Sequence, residues 1–124
     1  MRILFVCVEN SGRSQMAESF ARSLDIEAAS AGSKPSGEIH PRTMQVMAER
    51  GLSLAGHRSK SLSEIPPGEW DYVVTMGCGD VCPWVPARQR EDWDLPDPKR
   101  LDDAGIRAVR DEIESRVKKL LANQ

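Results

Sequence analysis

A continuous apolar run, Ile3-Leu4-Phe5-Val6, stops at Cys7, and helical periodicity starts at Ser14. A short run that is apolar at every position suits a strand buried on both faces, the kind found in parallel sheets. A helix following so closely makes this a strand–loop–helix unit, and the rest of the chain repeats the alternation. Residues 14–24 carry Met16, Phe20 and Leu24 at helical spacing, with Ala17 and Ala21 beside them. Residues 26–32 read as a second strand, followed by a turn at Lys34-Pro35-Ser36-Gly37. His40-Pro41 opens a helix running to about Arg50, with Gly51 as its stop. Residues 60–65 form a short helix that Pro66-Pro67-Gly68 ends. Tyr72-Val73-Val74-Thr75-Met76 is the third strand. Residues 77–92 read as loop, Trp93-Asp94-Leu95 as a fourth strand, and Pro96-Asp97-Pro98 as a rigid loop. From Asp102 to about Ala122 a long helix buries Ile106, Val109, Ile113, Val117, Leu120 and Leu121. The expected fold is one α/β domain over residues 1–124, a four-stranded parallel sheet with helices on both faces.

In such sheets ligands bind beyond the carboxyl ends of the strands. Cys7 ends strand one, Cys78 follows strand three and Asp97 follows strand four, so three chemically capable groups converge on one edge. The loop Cys7-Val8-Glu9-Asn10-Ser11-Gly12-Arg13-Ser14 has a specific physical use. Unpaired N–H groups and the dipole at a helix N-terminus hold a tetrahedral anion. Arg13 adds a planar fork for two of its oxygens. Cys7 would stand in that positive field, which favours the thiolate. The whole stretch Val8, Glu9, Asn10, Ser11, Gly12, Arg13 and Ser14 is therefore an oxyanion cradle with Cys7 as nucleophile. Asn10 is expected in an unusual backbone conformation, which Asn tolerates. Glu9 would repel an anion, so its side chain is expected to point outward. Ser14 either hydrogen-bonds the sulfur or caps the helix.

Composition sets the outer limits. A chain of 124 residues with net charge −2 exerts no strong field towards nucleic acid or membrane. It holds no apolar run of about 18 residues, and its N-terminal apolar stretch is too short for a signal peptide. A cytoplasmic protein is expected. Three cysteines do not suit a secreted disulfide framework. Cys78 and Cys82, spaced Cys-x3-Cys, leave three readings open: half of a zinc site lacking its second pair, inert loop thiols, or a redox pair. His40 and His57 read as structural, and no metal site is expected.

The Cys-x5-Arg-Ser motif directly after the first strand resembles the phosphate-binding loop of the low-molecular-weight protein tyrosine phosphatase family. The Gly77-Cys78-Gly79-Asp80-Val81-Cys82-Pro83 stretch and the late Asp97-Pro98 look like the arsenate reductases built on that fold. The resemblance spans nearly the whole chain. It implies that Asp97 is the general acid protonating the leaving oxygen. It also implies that arsenate bound at Cys7 is reduced to arsenite, the adduct being resolved by a thiol. That thiol is Cys78 or Cys82 in the manner of thioredoxin-coupled relatives, or an external small thiol in the manner of mycothiol- and glutaredoxin-linked ones. No bound cofactor is implied. The partners are an arsenate- or phosphate-like oxyanion and a redox partner. Some family members hold a potassium ion beneath the loop; Asn10, Glu18 and Ser30 match three of its ligands, and Lys60 stands where its ammonium could replace the cation. The alternative activity is a protein tyrosine phosphatase using Cys7, Arg13 and Asp97 in the same roles. Against it, Lys99-Arg100 stands where those relatives place tyrosines. A catalytically idle oxyanion-binding or redox-sensing module is a third reading, and turnover of arsenate or an aryl phosphate excludes it.

Overall fold

The computed structural model describes residues 1–77 and 85–122. Strand β1 (Arg2–Cys7) is the centre from which the sheet grows. It pairs in parallel with β2 (Glu27–Gly32) on one side and β3 (Trp70–Thr75) on the other, and β4 (Ala87–Asp92) adds to β3. The order is β2-β1-β3-β4, all parallel. The alternation of side chains along β1 divides the core. Ile3, Phe5 and Cys7 face a large cluster built with helices α1 (Arg13–Ser23), α2 (Pro41–Ala48) and α3 (Asp103–Ala122). Leu4 and Val6 face a smaller cluster with Ala29, Trp70 and Val73, closed by Leu62 and Ile65 at a 3-10 turn, Leu62–Glu64. Both faces thus carry helical cover, unequally. Phe5, Ile3, Met16 and Ile113 are fully buried, each contributing about 1.5–3 kcal/mol of hydrophobic stabilisation. Among the described residues no helix is long and apolar enough to cross a membrane.

The sequence misplaces the fourth strand. The ladder to β3 runs over Ala87–Asp92, in what reads as loop, and Trp93-Asp94-Leu95 follows it. The segment Ala87-Arg88-Gln89-Arg90-Glu91-Asp92 is a half-exposed to exposed edge strand. Such edges are kept charged, which discourages pairing with another chain and erases the apolar signature. Trp93 carried the apolar signal but is the residue after the strand: its N–H still bonds Thr75 O at 2.8 Å while its ring is buried against Phe5. Smaller differences concern ends. Helix α2 stops at Ala48 rather than Arg50, although Gly51 does take the positive φ (73°) that turns the chain. Residues 60–65 make only one 3-10 turn. A further 3-10 turn, Pro98–Arg100, occupies the expected rigid loop.

Helices α2 and α3 are joined by an ion-pair network. Glu49 takes hydrogen bonds from Arg107 (2.8 Å) and Arg110 (2.7 Å), and Asp111 takes one from Arg50 (2.7 Å). The two arginines hold the Glu49 carboxyl down to about 2 from a usual 4.5. A depressed carboxyl contributes stability above its unfolded value and loses it as pH falls towards the folded one. Glu49→Gln is therefore expected to melt below wild type at pH 7, with the gap closing between about pH 4.5 and 2. Thermal melts across that range check it, and a pH-independent gap would remove the ion pairs as its cause.

Candidate functional site

The carboxyl ends of β1 and β3 and the segment beyond β4 open into one cleft of about 510 Å³. Cys7 lies on it, 2 % exposed and with a free thiol, together with Arg13, Gly77, Leu95 and Asp97. Chain topology alone brings these residues together, since Arg13 and Leu95 are 82 positions apart.

The loop from Val8 to Gly12 is held by its carbonyls. Cys7 O accepts from Ser33 N, Val8 O from Lys34 N, Glu9 O from Ser36 N and Ser59 Oγ, and Ser11 O from His40 N. Asn10 O accepts from Gln15 Nε2, and Gly12 O begins the α1 ladder. The carbonyls of this loop are thus taken up by protein donors, the arrangement an anion-binding loop needs if its N–H groups are to serve a ligand. Asn10 has φ 52°, a left-handed conformation, in keeping with the unusual backbone expected for it.

A directional chain of hydrogen bonds ends on the sulfur. The Lys60 N–H (3.0 Å) and Gln15 Nε2 (3.0 Å) both donate to Asn10 Oδ1, which fixes the orientation of that amide. Asn10 Nδ2 then donates to Ser14 Oγ at 2.8 Å. Ser14 Oγ lies 2.8 Å from Cys7 Sγ, and towards a thiolate the hydroxyl is the partner that holds the proton to donate. The helix opens at Arg13 with Gly12 as its uncapped N-cap, so Ser14 is not a cap. Asn10 and Ser14 are fully buried and stand behind the cradle, while Val8, Glu9, Ser11, Gly12 and Arg13 line it.

Arg13 is 8 % exposed, and its Nη1 donates to Leu95 O at 2.9 Å. Gly77 makes room for it. A Cβ there would stand 2.6 Å from Arg13 Nη1 and 3.2 Å from Leu95 O, at a φ of 74°. Asp97 N-caps the 3-10 turn, its Oδ1 accepting from Lys99 N at 3.0 Å. Glu9 does not simply point outward. Its carboxylate is held by Lys99 Nζ at 2.5–2.6 Å on the rim of the cleft. The Lys60 ammonium lies 3.8 Å from Glu18 Oε1, and burial pushes it down against the pull of Glu18. It is the backbone of Lys60, not its ammonium, that touches Asn10. Cys78 and Cys82 lie outside the described residues.

Sequence reasoning read His40 as structural and did not single out Thr43. His40 lines the cleft and caps α2, its Nδ1 accepting from Arg42 N at 3.3 Å. Thr43 Oγ1, also on the cleft wall, has no hydrogen-bond partner among the described residues. A hydroxyl on a helix leaves no pattern in a sequence that would single it out. Gly77 did leave one: a glycine placed directly after an apolar strand.

The family model of the low molecular weight phosphotyrosine protein phosphatases matches residues 2–124. The chain belongs to that family. Among members, it is 36% identical over 127 residues to a glutaredoxin arsenate reductase of Synechocystis, covering 98% of this chain and 96% of that one. It is 36% identical over 130 residues to an arsenate reductase of Shouchella clausii, covering 94% and 92%. A solved arsenate reductase in a phosphate-binding state superposes with a TM-score of 0.88 at 36% identity, over 98% and 97% of the two chains. An arginine phosphatase of Geobacillus stearothermophilus gives 0.76 at 25%, over 98% and 91%.

Proposed function

We propose that this chain reduces arsenate to arsenite through a covalent adduct on Cys7. The observation that carries the reading is the Cys7 sulfur, 2.8 Å from Ser14 Oγ, on one cleft with Arg13 and Asp97. The names of the relatives set the substrate.

Arsenate enters with its oxygens on the loop N–H groups and the Arg13 fork. The Cys7 thiolate attacks arsenic, an S–As bond forms, and one As–O bond breaks. The departing oxygen takes a proton from Asp97, whose Oδ1 is engaged by Lys99 N–H and whose Oδ2 is left to carry it. A second thiol then attacks Cys7 Sγ. Its S–S bond forms as the S–As bond breaks, and the electron pair leaves with arsenic, which becomes arsenite. Two sulfurs are oxidised and one arsenic is reduced by two electrons. A further thiol then exchanges with that disulfide, freeing the Cys7 thiol and leaving the new disulfide between itself and the sulfur that attacked Cys7.

The reductant is a thiol, and the finer assignment made here is an external small thiol rather than Cys78 or Cys82. A solved arsenate reductase of Corynebacterium glutamicum is described as thioredoxin-dependent, and the Synechocystis relative as a glutaredoxin enzyme. Arsenite formation is measured with a thioredoxin system and separately with a mycothiol–glutaredoxin system, for wild type and Cys78→Ser/Cys82→Ser. Activity of the double variant with the small thiol alone supports the assignment. Loss in both systems makes a loop cysteine the attacking group, and no arsenite from wild type in either sinks the function. The phosphatase alternative is disfavoured at the cleft itself: among the described residues lining it there is no Phe, Tyr or Trp to face an aryl ring.

Gly77→Ala tests the Arg13 placement. Alanine at positive φ costs about 1–2 kcal/mol wherever it occurs. At position 77 it also displaces the guanidinium, whereas at Gly37, φ 88°, the new Cβ meets nothing within 4 Å. Phosphate affinity, measured by calorimetry, is expected to fall by about tenfold or more for Gly77→Ala, the size of one charge-assisted hydrogen bond. It is expected to stay put for Gly37→Ala. Equal affinities in the two variants would remove Arg13 from the cradle.

A further inference from the structure

Glu9 is the residue least suited to an anion-binding loop, and the structure gives it a specific partner. Lys99 Nζ reaches both its carboxylate oxygens, at 2.6 and 2.5 Å, across 90 positions of sequence. Lys99 is bonded at a second point: its backbone N–H holds Asp97 Oδ1 at 3.0 Å. One residue therefore grips the acid with its main chain and the oxyanion loop with its side chain. The Asp97 segment has other anchors nearby, Leu95 buried beneath it and the Leu95 carbonyl on Arg13. These lie before Asp97 in the chain. On the far side Pro98 is buried and Leu101 packs on the core, but the turn between them is exposed at Lys99 and Arg100, and the Lys99 side chain ties that turn to the loop.

We propose that the Glu9–Lys99 ion pair is a clasp that sets the Asp97 carboxyl over the sulfur, with Lys99 a positioning residue and Glu9 its counter-charge; the kinetic part of this rests on the reading of Cys7 and Asp97 given above. The clasp explains the carboxylate in the loop. Paired, Glu9 presents no net charge to an incoming oxyanion; unpaired, it repels one. An exposed ion pair adds little to global stability. A proton donor, however, is sensitive to displacements that hardly register in folding, since about 1 Å of misplacement is enough to slow a reaction severely.

The test uses three variants, Glu9→Gln, Lys99→Met and the double. If the pair acts as a unit, each single lowers kcat for arsenate by about fivefold, and the double loses no more than either single. KM separates the charge from the clasp. It is raised in Lys99→Met, where Glu9 stands unpaired, and is not raised in Glu9→Gln or in the double. A second readout needs no turnover. Trypsin cleavage after Arg100, followed by mass spectrometry, is expected to run several-fold faster in Glu9→Gln and Lys99→Met than in wild type, with melting temperatures nearly unchanged. Additive losses in kcat, or kcat and cleavage rates equal to wild type, would reduce the pair to a surface contact. If wild type reduces no arsenate, the functional reading fails, and the cleavage rates still decide whether the clasp exists.

Discussion

Cys7→Ser is expected to abolish arsenate reduction, by at least about 10³-fold, while leaving the fold and phosphate binding in place. Cys7 is 2 % exposed on the cleft, and the anion contacts proposed there come from the loop backbone and Arg13. Replacing sulfur by oxygen keeps those contacts. It removes the thiolate, because a serine hydroxyl does not ionise at neutral pH, and it removes the atom that the resolving thiol must attack to form a disulfide. Both chemical steps are lost in one substitution. The check is arsenite production with an excess of either reductant, beside phosphate titration and a thermal melt. Retention of even a tenth of the activity would sink Cys7 as the nucleophile.

Asp97→Asn is expected to slow formation of the Cys7–arsenic adduct by roughly 10²–10⁴-fold, with phosphate affinity little changed. The substitution isolates the proton. Asn caps a helical turn as well as Asp does, so its Oδ1 can keep the Lys99 N–H and the turn Pro98–Arg100 survives. What disappears is the acid. Single-turnover measurements of adduct formation at neutral pH separate this step from the later thiol exchange. An unchanged rate would assign the proton to another group or to water.

Much of this fold was legible because parallel sheets write themselves into sequence. Ile3–Val6 and Tyr72–Val74 are apolar at each position because both faces of those strands are covered. Helix α3 shows its stripe from Ile106 to Leu120 because one side of it meets water. Strand β4 was not legible. Its pairing is made by backbone groups alone, and charged side chains on an edge say nothing about where those groups point. The 3-10 turn that closes the smaller face was readable only as a vague helix, since three residues carry no period.

At the site the division is similar. The loop could be read from residue identities alone: the thiol at its start, the guanidinium at its end, and an unusual backbone conformation at Asn10 between them. These are properties of one short segment and of local backbone sterics. What that segment meets is set by the packing of the rest of the chain. Asn10 is oriented by a backbone N–H 50 positions away, and Arg13 by a carbonyl and a glycine from two other crossovers. Glu9, an apparent liability in the loop, is answered by Lys99 from beyond β4. A hydrogen bond or ion pair between distant positions depends on distance and direction set by the packing of whole elements, and residue identity along the chain encodes neither until the sheet has brought them together.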